Sequence, residues 1–106
     1  MSIAGSLAMI GGAAFVAGIA IALDLTGDVT LVIVAGTAGA LADSLIGATA
    51  QERRWCATCD RGSERRVHDC GSFTRLVGGR EWMDNDMVNL IATLIGAVVA
   101  ALLAYA

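Results

Sequence analysis

Three apolar stretches, each about the length needed to cross a bilayer, constrain this chain more than any other feature. Ile3 to Leu23 runs 21 residues without a charge, Val29 to Ala50 runs 22 with a single acid, and Met87 to Ala106 runs 20 with none. A helix needs about 20 apolar residues to traverse a hydrocarbon core about 30 Å thick. Backbone polar groups in lipid must bond to one another, and three short segments cannot close a barrel, so all three are read as helices. The first stretch lacks a basic start and is longer than the apolar run of a secretory signal, which is about 7–15 residues. The sequence therefore predicts an all-α integral membrane protein with transmembrane helices near 3–23, 29–50 and 87–106. Residues 1–106 form a single membrane domain in this reading.

The charges are segregated to match. All seven basic residues are arginines between Arg53 and Arg80, and the acids outside the polar stretch 51–86 are Asp24, Asp28 and Asp43. Hydrophobic residues make up 57% of the chain and charged ones 16%, which makes a disordered chain and a nucleic-acid binder both poor fits. The link 24–28 has no Lys or Arg, so the excess-positive rule places the 51–86 loop in the cytoplasm. A five-residue link between two such runs makes a helical hairpin. Small residues such as Gly36, Gly39, Ala40 and Gly47 allow close helix approach in lipid, although they also match ordinary membrane-helix composition.

Two constellations carry chemistry. Asp43 lies inside the second apolar run, on the side of Gly36, Gly39, Ala40 and Gly47. An intramembrane carboxylate faces the protein interior or a wet cavity; the alternative is an acid near enough to the helix end to reach water. At the third run, Asp84 or Asn85 makes a suitable N-cap, and Asp86, Asn89 and Thr93 share one helix face. Asp43, Asp86 and Asn89 together would offer the hard oxygen ligands that suit Mg²⁺. Nearby arginines and Gly78-Gly79 could hold phosphate oxygens. The second constellation is Cys56-x2-Cys59-x8-His68-x-Cys70, which uses every cysteine and the only histidine. Such a donor set suits a closed, structural Zn²⁺ site, with Gly62 and Gly71 as permissive turn residues after each ligand pair. An unmetallated set of thiols is the competing reading, and His68-x-Cys70 is tighter than the usual Cys-x2-Cys.

These residues resemble a known family. The stretches Asp43-Ser44-Leu45-Ile46-Gly47-Ala48-Thr49-Ala50-Gln51, His68-Asp69-Cys70-Gly71, Gly78-Gly79 and Asn85-Asp86-Met87-Val88-Asn89 carry the likeness. With the glycine-rich opening Ser2-x-x-Gly5-Ser6-x-Ala8-x-x-Gly11, they look like the domain of unknown function 92 family, which includes transmembrane protein 19. Family members usually have further N-terminal membrane helices, so the resemblance implies a C-terminal portion that works with those helices or as a homo-oligomer. Its plant relatives are phytyl-phosphate kinases. The resemblance thus implies a multi-pass cell-membrane enzyme that converts an isoprenoid monophosphate to the diphosphate with a nucleotide donor, CTP. Asp43, Asp86 and Asn89 would then hold Mg²⁺, while Ser44, Gln51, Gly78, Gly79, Arg80 and Asn85 would contact phosphate. A transporter-like protein, or an anchor whose zinc loop recruits a partner, remains the non-enzymatic alternative.

Overall fold

The computed structural model describes residues 2–25 and 27–106. The element order is α1 (Ile3–Ala22), α2 (Val29–Thr49), β1 (Arg53–Cys56), β2 (Arg61–Ser63), β3 (Arg75–Gly78) and α3 (Asn85–Tyr105). The three helices fall within two residues of the spans expected from hydropathy, and each is long and apolar enough to cross a membrane. The chain divides into two compact units, one of residues 1–44 with 91–106 and one of residues 45–90.

In the helical unit, each helix start has a local cause. Ser2 caps α1 by accepting the Gly5 N–H at 3.1 Å, and Asp28 caps α2 by accepting the Leu31 N–H at 3.0 Å. Helix α1 ends with the Asp24 N–H on Ile21 O and the Leu25 N–H on Ala20 O, while Asp24 turns left-handed at φ 53°. That is a Schellman closure with aspartate where glycine is usual. The link to α2 includes Thr26, which lies outside the described residues. Six residues separate Ala22 from Val29. They can reach about 20 Å, too little to return along a helix of about 30 Å, so α1 and α2 run antiparallel.

Small residues set the packing. A Cβ on Gly36 would lie 3.5 Å from Ala13 Cβ, one on Gly39 would lie 3.1 Å from Ala92 O, and one on Gly96 would lie 3.2 Å from Ala35 O. Backbones thus meet where side chains are absent, as in lipid-embedded bundles. Bulky side chains point outward instead: Phe15 is 71% exposed and Leu102 67%. An apolar surface of this extent needs lipid to cover it.

The second unit corrects the all-α expectation. The loop 51–86 carries a three-stranded antiparallel sheet in the order β2-β1-β3. Its strands are three or four residues long. Alternation is legible in sequence only over about four to eight residues, so arginine-rich strands this short leave little signal. Central β1 still alternates: Arg54 and Cys56 are buried, whereas Arg53 is exposed and Trp55 half-buried. Arg54 bonds Glu52 at 3.0 Å and reaches Glu81 at 3.4 Å.

The unit is closed by backbone bonds from Arg80 N–H to Ala50 O at 3.0 Å and from Glu52 N–H to Met83 O at 2.8 Å. Gly79 makes the first possible, because it adopts φ 71° and a Cβ there would collide with the Gln51 carbonyl.

Candidate metal centre and polar residues

Two turns build the centre. Cys56 ends β1 on its buried face, and the following turn brings back Cys59 before β2 pairs at Cys56↔Arg61. The left-handed residue of this turn is Asp60, at φ 50°, not Gly62. Gly62 lies within β2 opposite Trp55, which corrects the role expected for it. The second turn is held by the Val67↔Phe73 bridge, with the His68 N–H on Ser72 O at 2.9 Å and the Gly71 N–H on His68 O at 2.8 Å. Gly71 does have the expected permissive backbone, at φ 84°. Thr58 donates to Ser72 at 2.9 Å and ties one turn to the other.

The result is convergence of all four candidate ligands. One donor atom from each of Cys56, Cys59, His68 and Cys70 lies within 4.8 Å of every other. Cys56 Sγ is 3.7 Å from Cys70 Sγ, and His68 Nδ1 is 3.3 Å from Cys70 Sγ. Ligands about 2.3 Å from a shared tetrahedral centre lie about 3.8 Å apart, so this group could hold a metal ion with little movement. All three cysteines are free, with Cys56 buried and the others exposed.

Their acidities diverge. Hydrogen bonds from Ser72, then from His68, lower Cys70 to about 6. Cys59, whose hydrogen bond to Cys70 favours its neutral form, is raised to about 11, with desolvation and the other thiols adding to the shift.

The expected oxygen ligands lie on the helices. Asp43 and Ser44 are half-buried in α2, within the helical unit. Asp86 and Asn89 are exposed in the first two turns of α3, within the sheet-bearing unit. Asp84 proves to be the N-cap, accepting the Met87 N–H at 2.9 Å, and Asn85 is the first helical residue. Of the phosphate candidates, Gly79 has the packing role described above, and the Arg80 N–H is engaged by Ala50. Gln51 is half-buried, with its Oε1 placed 3.2 Å from where a Gly47 Cβ would sit. Gly78 lies beneath the Arg53 guanidinium, whose Nε would be 3.0 Å from an added Cβ.

Residues not singled out from sequence include the buried pair Glu52 and Arg54. Their i, i+2 spacing was the available signal, since it puts both on one face of an extended chain.

Three apolar helices with lipid-demanding surfaces, and a polar segment folded around a Cys3His cluster, define an integral membrane protein with a metal-capable extramembrane unit. The chain belongs to the family described as integral membrane protein DUF92, which it matches over residues 1–97. No curated protein and no solved structure matches it.

Proposed function

We propose that the chain is a CTP-dependent polyprenyl (phytyl-type) phosphate kinase, or the C-terminal portion of one, working at the cytoplasmic membrane surface. The observation that carries this reading is Asp43, a half-buried carboxylate inside a helix apolar enough to cross a membrane. On insertion scales a charge at the centre of such a helix costs about 2.5–3.5 kcal/mol, so it calls for a cation or a polar cavity. The family's resemblance to phytyl-phosphate kinases supplies the reaction. An oxygen of the lipid monophosphate attacks the γ-phosphorus of the nucleotide, CDP departs, and the lipid diphosphate results. Asp43, Asp86 and Asn89 would hold Mg²⁺, which supplies charge neutralisation on the phosphates. Ser44, Gln51, Asn85 and the Gly78-Gly79-Arg80 segment orient the phosphate groups in this reading. The Cys3His group takes Zn²⁺ as a structural ion, because four protein donors leave no position for substrate. The cytoplasmic side follows from the arginines.

The test is phosphoryl transfer to isoprenyl monophosphates by the complete gene product in liposomes, with each nucleotide in turn. CTP should be the best donor, and Asp43→Asn, Asp86→Asn and Asn89→Leu should each lower turnover by about 100-fold or more at unchanged zinc content. Absence of transfer from every nucleotide would refute the enzyme reading. It would favour a non-enzymatic anchor whose zinc loop docks a partner, for which the 84% exposure of Phe73 beside the metal-binding turn is the supporting observation.

A further inference from the structure

The face of β1 that carries Arg53 and Trp55 opens onto a groove of about 620 Å³, wholly within the sheet-bearing unit. That volume lies in the range of small-molecule sites, roughly 300–1,000 Å³. Trp55 and Val77 give the groove apolar surface, and Gly62, the residue directly opposite Trp55 on β2, leaves the space beside the indole open. Arg53 lines the same groove two residues before Trp55 and, among the described residues, takes part in no ion pair. Arg54 and Glu52 line it too, but Arg54 is buried and committed to Glu52 and Glu81. Between Arg53 and Arg54 the partner on β3 jumps from Gly78 to Leu76, a bulge whose extra residue, Val77, lines the groove.

We infer that this groove is the nucleotide subsite: the base stacks on Trp55 in the space left by Gly62, and Arg53 binds the phosphates. This inference rests on the kinase reading for the identity of the ligand, and on the groove for its place. A flat aromatic surface stacks on any base, because every base has a π-face. A guanidinium binds phosphate oxygens in a two-pronged fashion that lysine cannot match. Residues two apart on a strand are separated by about 7 Å, roughly the span of a ribose between its base and its 5′-phosphate. Gln51 also lines the groove and offers its amide to the phosphates beside Arg53. Glu64, another lining residue, repels a bare triphosphate, so the form bound is the magnesium salt.

The position of Gly62 supplies a clean perturbation. A Cβ there would meet only Arg54 O at 3.9 Å, an ordinary contact, so a side chain fills the groove without straining the backbone. The experiment uses the zinc-loaded full chain in detergent with Trp82→Phe, which leaves Trp55 as the only indole. CTP, ATP, GTP, UTP, cytidine and inorganic triphosphate are titrated with Mg²⁺ while Trp55 emission is read. Nucleoside triphosphates should quench it saturably, and triphosphate alone should not. Gly62→Val should weaken nucleotide binding about tenfold or more at unchanged zinc content, and Arg53→Ala should weaken triphosphates while sparing cytidine. No quench by any nucleotide, or unchanged affinity in Gly62→Val, would overturn the inference. Binding without phosphoryl transfer would leave the groove standing and remove the kinase reading. Transfer with an unchanged nucleotide KM in Trp55→Ala would do the reverse.

Discussion

Replacing Gly79 by alanine tests how the sheet-bearing unit is closed. Gly79 sits at φ 71°, and the added Cβ would strike the Gln51 carbonyl oxygen, with the Ala50 oxygen 2.9 Å away. The left-handed backbone costs a non-glycine residue about 1–2 kcal/mol. The obstacle is backbone, so it cannot rotate aside. Relief requires displacing residues 50–51 from 79–80, which breaks the Arg80 N–H to Ala50 O bond and removes about 0.5–1.5 kcal/mol more. The expected loss is about 1.5–3.5 kcal/mol. Gly71 is the internal control, because it too is left-handed, at φ 84°, yet nothing lies within 4 Å of its added Cβ. Gly71→Ala should therefore cost only the backbone part, about 1–2 kcal/mol. Both variants are melted in detergent at saturating zinc, following tryptophan emission. At about 4–8 °C per kcal/mol for a small domain, Gly79→Ala should melt about 2–12 °C below Gly71→Ala. If the two melt together, or Gly71→Ala melts lower, the close approach of residue 79 to residue 51 is wrong.

Other expectations follow from the same structure. Glu52→Ala removes the one buried carboxylate from Arg54, leaving it the exposed Glu81 and the Thr74 carbonyl, both at 3.4 Å, and should destabilise the unit by about 3 kcal/mol in urea unfolding, whereas Glu81→Ala should cost under about 1 kcal/mol. Chelation of the metal should raise hydrogen exchange across residues 56–72 and leave the helices protected. In metal-free protein, Cys70 is thiolate above about pH 6 and Cys59 only above about pH 11. Iodoacetamide at neutral pH should therefore label Cys70 before Cys59, and Cys70 labelling should slow as pH falls below 6, as mass spectrometry of the peptides would show. Asp24→Gly removes a side chain from a left-handed position and should stabilise the helical hairpin by about 1 kcal/mol against thermal unfolding.

Much of this protein was legible in its residues. Apolar length alone placed α1, α2 and α3 to within two residues, because lipid imposes one spacing and one backbone solution on a spanning segment. The cap of α3 was narrowed to Asp84 or Asn85 by their place before an apolar run, and the Cys3His cluster followed from four candidate ligands close in sequence, where short turns leave few ways to arrange them. The sheet was not legible. Its strands are too short for a two-residue period to stand out from a polar loop, and β1 is central only because, besides pairing with β2 across a short turn, it finds β3 far along the chain, Gly78 for Arg53. For the same reason the glycines exchanged roles. Asp60, not Gly62, takes the left-handed turn; Gly62 clears the space opposite Trp55; Gly79 makes room for the carbonyl of Gln51. Composition and periodicity act along the chain and determine which segments meet lipid. A glycine's purpose depends on what its missing side chain would touch, and only the tertiary structure decides that.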